Sequence, residues 1–286
     1  MHDYQQLREQ YNCRLATAAV ENARSEVVNR LRSRFAGVFS PGLGRCTKTK
    51  AQLFLKPRLV YKQKRPVPFA SQEAVNNEID RLISENVLEP VDHSSWAAPI
   101  VVVKKANGIS RLCADFSTGL NDALMLHQHP LPTVEDVFNK LNGGELFSQF
   151  DLAYAYLQIE VDDNSEDLLT INTHRGLYRY NRLTFGVKFA PGIFQQIMMD
   201  AMIAGLDGVA AYLDDIIVTG LTMDEHRRNL EALFERMHYY SFSVRIEKCH
   251  FMMSEIRYLD DIIDKNGRRL DSDKIRAITE MPPLKD

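Results

Sequence analysis

The tetrapeptide Tyr-Leu-Asp-Asp occurs twice in this chain, at 212–215 within "AAYLDDIIV" and at 258–261 within "IRYLDDIID". Each copy sets two neighbouring carboxylates into apolar sequence. A carboxylate taken out of water needs a partner, a metal or a shifted pKa, so each pair has to be accounted for. The first copy reads as a hairpin whose turn carries the aspartates. Aspartate is a common turn residue, and for an isolated YLDD that plain reading stands ahead. The run "FSQFDLAYAYLQI" narrows the gap, because it places Asp151 at the end of another apolar strand. With the two strands side by side, Asp151, Asp214 and Asp215 meet at one end of a sheet. Three carboxylates can hold a pair of Mg²⁺ ions about 3.5–4 Å apart, an arrangement suited to in-line attack of a hydroxyl on a phosphate. No third carboxylate in a matching strand partners the second copy.

The remaining pattern alternates helices with strands. A helical stripe runs over 4–35 through Val27, Leu31 and Phe35, and Ser71 suits the N-cap of a helix presenting Val75, Ile79, Leu82 and Ile83. "APIVVVKKANGISRLCADF" reads as a β-hairpin turning at Asn107-Gly108, with Lys105 just before the turn and Arg111 just after it. Thr133 opens a short helix that ends at Gly143-Gly144. "LFSQFDL", "YLQIEV", "LLTINT" and "LYRYNRL" read as strands. Helices are expected over 191–204, opening on Pro191, and from about Asp224 to Tyr240. Strands near 243–247 and 256–263 lead to a last helix from about Ser272. The fold class is α+β with mostly antiparallel strands.

The 286 residues, 45% hydrophobic and 26% charged, allow two or three compact lobes. Net charge, −3, excludes nothing, but its distribution is uneven. From Val27 to Gln72 there is no acidic residue against eleven Lys and Arg, which is either a solvated basic surface or one that faces phosphates. The four cysteines form no Cys-x-x-Cys pair, and neither His127-Gln128-His129 nor Cys249-His250 has a second half at zinc spacing. No apolar run is long enough to cross a bilayer and no signal peptide is apparent, so no membrane partner is expected.

Five segments in order carry a specific resemblance: "VVVKKANGISRLCADFSTGLN", "LPTVEDVFNKLNGGELFSQFDLAYAYLQI", "LLTINTHRGLYRYNRLTFGVKFAPGIFQQIM", "GVAAYLDDIIVTG" and "HRRNLEALFERM". The set resembles the reverse transcriptase domain of gypsy-type long-terminal-repeat retrotransposons, from about residue 35 to the C-terminus. That resemblance implies a right-hand polymerase of fingers, palm and partial thumb, with an antiparallel palm sheet carrying the catalytic aspartates. It divides the chain into an N-terminal helix and linker region (1–36), fingers with the start of the palm (37–145), palm (146–240), and palm–thumb border with a truncated thumb (241–286). It implies RNA-directed DNA synthesis with two Mg²⁺, replaceable by Mn²⁺, bound by Asp151, Asp214 and Asp215.

Carried over position by position, Lys105 and Arg111 would hold the incoming triphosphate. Tyr156 would pack under the sugar and block a 2′-hydroxyl. Phe185 and Gly186 would line the nucleotide pocket, with the backbone amides of Tyr154 and Ala155 near the phosphates. Tyr212, Leu259 and Asp260 would meet the primer, and the basic stretch 45–65 would lie beside the template. The implied partners are a template–primer duplex and deoxynucleoside triphosphates in an intracellular setting, cytoplasmic or within a virus-like particle. The RNase H and integrase regions of such a polyprotein are absent from this sequence. Where relatives read "YLGHII", this chain has Asp260-Asp261, two carboxylates expected to repel a primer phosphate. Thr184 stands where proline is usual, and "DFSTGLN" is one residue longer than "DYRALN". The rival reading is a catalytically impaired, nucleic-acid-binding remnant; a cyclase acting on free nucleotides stands third.

Overall fold

The computed structural model describes residues 20–56, 60–104, 110–127, 129–259, 261–271 and 276, and the side chains of 104, 110 and 111 are not described. A four-stranded antiparallel sheet lies at its centre, in the order β11 (His250–Met253), β5 (Leu146–Asp151), β10 (Asp215–Gly220) and β9 (Val209–Tyr212). Strands β5 and β10 read as nearly unbroken apolar runs because both of their faces are covered. On one face Phe150, Ile216, Val218 and Ala211 join the main core, which includes Leu230, Leu233 and Phe234 of helix α7 (Met223–Tyr240). On the other, Phe147, Ile217 and Ala210 pack with Val137 and Leu141 of helix α4 (Val134–Leu141). That second face also meets Ile256, Tyr258 and Ile263 of a small antiparallel sheet, β12 (Glu255–Tyr258), β13 (Asp261–Asp264) and β14 (Gly267–Leu270).

A five-stranded sheet has the order β2 (Leu88–Val91), β8 (Gly176–Tyr180), β7 (Thr170–Thr173), β3 (Ala98–Lys104), β4 (Ser110–Ala114). Strand β3 pairs antiparallel with β4 and parallel with β7, so chain from beyond β5 completes the sheet begun before it. Helix α2 (Phe69–Ser84) packs on this sheet. Strand β1 (Cys46–Ala51) pairs in parallel with β6 (Ile159–Val161). A helix over 20–34 (α1) packs against α7 at its end, where the rings of Phe35 and Phe234 lie 6.0 Å apart.

Local chemistry explains several boundaries. Thr133 and Asp136 form a reciprocal capping box on α4, a feature in which losing the cap costs about 1 kcal/mol. Thr222 caps α7 by accepting from the Glu225 N–H. Five expectations need correction. The helix placed at Ser71 begins at Phe69 behind Pro68, and Ser71 lies buried inside it. The helix expected over 191–204 is α6 (Ala190–Ile197) followed by a wider π-turn, Met198–Met202. Only the second half of "YLQIEV" is a strand, β6 at Ile159–Val161; the first half belongs to a 3₁₀ turn, Ala155–Gln158. No strand covers 243–247; Val244 makes a single bridge to Leu152 and Ile246–Lys248 is a 3₁₀ turn. The strand expected over 256–263 is a hairpin, β12–β13, folded at the second YLDD. The last helix, from Ser272, lies outside the described residues except Arg276, as do 4–19 of the first.

Among the described residues, five of the eleven cations in the basic stretch are paired with carboxylates from distant sequence. Arg30 and Arg34 pair with Glu231, Arg45 with Glu160, Lys50 with Asp163 and Arg65 with Asp115. Each such exposed pair contributes about 0–1 kcal/mol. Together they offset part of the local excess of positive charge.

Candidate active site

Register decides where the carboxylates stand. Asp215 lies directly opposite Asp151 across the β5–β10 ladder, and opposite Tyr212 across β10–β9. Directly opposed residues of an antiparallel pair project from the same face, so Asp151 and Asp215 share the side that carries Phe147 and Ile217. Asp214 sits in the two-residue loop between β9 and β10, and its carbonyl accepts from the Leu152 N–H at 3.1 Å. The loop turns through Leu213 at φ 54°, a left-handed conformation costly for a side-chain-bearing residue. Gln195, fully buried on α6, holds that loop: its amide donates to the Ala211 carbonyl at 2.9 Å and accepts from the Leu213 N–H at 2.7 Å.

Negative charge is crowded here. Burial pushes the Asp215 carboxyl up to about 6, the nearby Asp214 and Asp151 add to the shift, and a hydrogen bond from Gln149 opposes it. The Asp151 carboxylate has Lys248 Nζ 3.1 Å from one oxygen and Arg245 Nε 3.4 Å from the other. Among the described residues, no group of three or more His, Cys, Asp or Glu side chains stands at the spacing of a metal site. The residues nevertheless fit a divalent cation. The set is all-oxygen, Asp151 Oδ1 is shielded from solvent without a hydrogen bond, and the Asp215 carboxyl is pushed up first by burial and then by the neighbouring Asp214 and Asp151, whose repulsion a cation would relieve.

Above the aspartates opens a cleft of about 570 Å³ lined by Asp151, Asp214, Tyr154, Ala155, Phe185 and the β4 residues Leu112 to Ala114. Tyr154, with φ 52°, starts the 3₁₀ turn and stands exposed on the cleft wall. Tyr156 is buried behind it, its ring 4.7 Å from Phe185 and 5.2 Å from Phe194. Gly186 has φ 93°, and a Cβ there would fall 2.8 Å from the Ala114 carbonyl oxygen, so the close approach requires glycine. Tyr212 and Leu259 both pack on the apolar cluster beneath the aspartate-bearing face. Lys105 and Asp260 lie outside the described residues, as does the side chain of Arg111, whose backbone continues the strand that lines the cleft.

Three residues of the site carried no sequence signal. Arg245 comes from a segment read as a strand, Lys248 from just beyond it, and Arg81 from a helix of which only the apolar side was singled out. Gln195 did leave a trace, as an amide within the apolar run "GIFQQIMM".

The second YLDD hairpin differs in its surroundings. Asp261, 3% exposed, accepts from Arg268 Nε at 2.6 Å. Arg268 also reaches Glu135 at 3.1 Å and lies over the Phe138 ring of α4 at 4.5 Å. The Asp261 carboxylate is therefore turned into the protein and paired, which corrects the expectation that it faces a primer phosphate.

An uncharacterized protein of Caenorhabditis elegans is 47% identical over 271 residues, 93% of this chain and 21% of that protein. Retrovirus-related Pol polyproteins from the Drosophila melanogaster transposons opus and gypsy are 29% and 27% identical over 94% and 78% of the chain, and 28% and 22% of their own lengths. The chain thus spans roughly a fifth to a quarter of the curated relatives it matches. In fold, it superimposes on the foamy viral protease–reverse transcriptase in complex with double-stranded DNA with a TM-score of 0.81 at 18% identity, covering 93% of this chain and 50% of that one. Residues 97–260, from the start of β3 to the second YLDD, match the family described as reverse transcriptase (RNA-dependent DNA polymerase), and to that family this chain belongs.

Proposed function

We propose that this chain is the polymerase region of a gypsy-like retrotransposon Pol polyprotein, adding deoxynucleotides to a primer 3′-hydroxyl on an RNA or DNA template. The observation that carries the reading is the pairing of Asp151 with Asp215 on adjacent strands, beside Asp214, at the floor of an open cleft. Asp151 and Asp214 line that cleft and are the two firm metal ligands. Asp215 lies behind them and completes the negative field. Bound there, two magnesium ions, or manganese in their place, would activate the primer hydroxyl and neutralise the departing pyrophosphate.

The chain's own groups do the positioning. Tyr156, wedged between Phe185 and Phe194, fills the volume where a ribose 2′-hydroxyl would fall. Lys105 and Arg111 of the β3–β4 hairpin hold the triphosphate, helped by the Tyr154 and Ala155 amides. Tyr212, Leu259 and Asp260 contact the primer. The five-stranded sheet with α2 forms the fingers, the four-stranded sheet with α4 and α7 the palm, and the small sheet the palm–thumb border. Template–primer duplexes are the partner, as in the foamy viral neighbour complexed with an RNA/DNA hybrid. Among the described residues no helix is long and apolar enough to cross a membrane.

The impaired-remnant reading rested in part on repulsion of primer by Asp260-Asp261. Asp261 is buried against Arg268, which removes half of that ground. Primer extension on an oligo(dT)-primed RNA template with Mg²⁺ tests the proposal. Extension abolished by Asp214→Asn supports it; duplex binding without extension supports the remnant; product without template supports the cyclase.

A further inference from the structure

Among the described residues three cations line the cleft, and they are not equivalent. Arg81 is occupied within its own helix by Glu78 and Glu85, at 2.8 and 2.7 Å. Lys248 is directed at Asp151. Arg245 is different: its Nε is shielded from solvent yet makes no hydrogen bond, because the 3.4 Å approach to Asp151 Oδ1 lacks the required geometry. Its guanidinium lies 4.7 Å over the ring of Tyr154, while Arg81 lies 5.6 Å from the same ring. The backbone adds a constraint, since the Arg245 N–H donates to the Asp151 carbonyl at 3.1 Å and so fixes the origin of the side chain beside the aspartates. A guanidinium seated on an aromatic face has its plane set in advance while its in-plane donors stay open, which is the geometry that recognises phosphate in a bidentate manner.

We propose that Arg245, carried on the Tyr154 ring, is a further ligand of the incoming nucleotide's triphosphate. The inference rests on the polymerase reading. Without a nucleotide or divalent cation, Asp151 is the nearest anion and takes up part of the charge. A cation on Asp151 competes with Arg245 for that carboxylate and leaves the guanidinium to the phosphates.

The test uses the full chain with a template–primer. Arg245→Gln, Arg245→Lys and the wild type are compared by KM and kcat for one dNTP, by binding of a fluorescent dATP analogue in Mg²⁺, and by duplex affinity. Arg245→Gln is expected to raise KM and weaken analogue binding about tenfold or more, the loss of a charge-assisted hydrogen bond, with duplex affinity within about twofold of wild type. Arg245→Lys restores part of the binding. Unchanged KM and analogue affinity in the Gln variant overturn the inference, as does an equal loss of duplex affinity, which would mark Arg245 as merely structural. If the wild type itself does not extend primers, the polymerase reading fails. Analogue binding then still decides for or against Arg245.

Discussion

At 212–215 and at 258–261 the same four residues stand between two antiparallel strands. Each tyrosine ends a strand, each second aspartate begins the next, Tyr212 faces Asp215 and Tyr258 faces Asp261, and the intervening leucines take φ 54° and 46°. The neighbours differ. Opposite Asp215 stands another aspartate, with a third in the loop, and its carboxyl is pushed up to about 6. Opposite Asp261 stands Leu270, and the carboxylate turns to Arg268 on the same strand, β14. Four residues suffice to specify a hairpin. Whether its carboxylates invite a cation is decided by side chains far away in sequence.

Four changes probe that contrast. The largest effect is expected at the first copy: Asp151→Asn or Asp214→Asn should lower the rate of primer extension at least about a thousandfold, whereas Asp261→Asn should change it by less than about threefold. Comparable losses at both copies would erase the distinction. The second probe is stability against pH. The Asp215 carboxyl holds its proton longer folded than in the open chain, where its ordinary value is 3.8. Between about pH 4 and pH 6 the folded state therefore binds more protons, so stability falls as pH rises through that window and the penalty is complete above it. Asp215→Asn should flatten this slope in urea titrations and stabilise the metal-free protein at neutral pH by about 1–2 kcal/mol, a range reduced for the partial exposure of the group. Asp261→Asn should show no such gain. Third, Arg268→Met leaves the buried Asp261 carboxylate without its donor and should lower the unfolding midpoint by a few degrees. Arg269→Met, which breaks only pairs to Glu255 and Asp264, should lower it less. Smallest is the effect on duplex affinity: Asp261→Asn should leave it within about twofold at low salt, since a paired, inward carboxylate repels little.

Much of the site could be read from residues alone. Asp151 at the end of one apolar run and Asp214-Asp215 in the turn of another pointed to their meeting at one end of a sheet, and Thr133 announced α4. The second hairpin was missed because nothing at Leu259 marks a left-handed residue; glycine or asparagine would have done so. The identical tetrapeptide at 212–215 was the available clue. Arg245 and Lys248 were invisible for another reason: Lys248 meets Asp151 across 97 positions, and no local pattern encodes that contact. Counting charge over 27–72 also leaves out the carboxylates that answer Arg30, Arg34, Arg45, Lys50 and Arg65, which lie between Asp115 and Glu235. Composition measures charge along the chain, while pairing depends on the fold.

Titration with Mn²⁺ followed by electron paramagnetic resonance, without nucleotide or turnover, addresses the assignment of the cation site most directly. Wild type and Asp261→Asn should bind the ion alike, and Asp151→Asn should lose most of the binding. Undiminished binding in Asp151→Asn, or its loss in Asp261→Asn, would contradict the assignment.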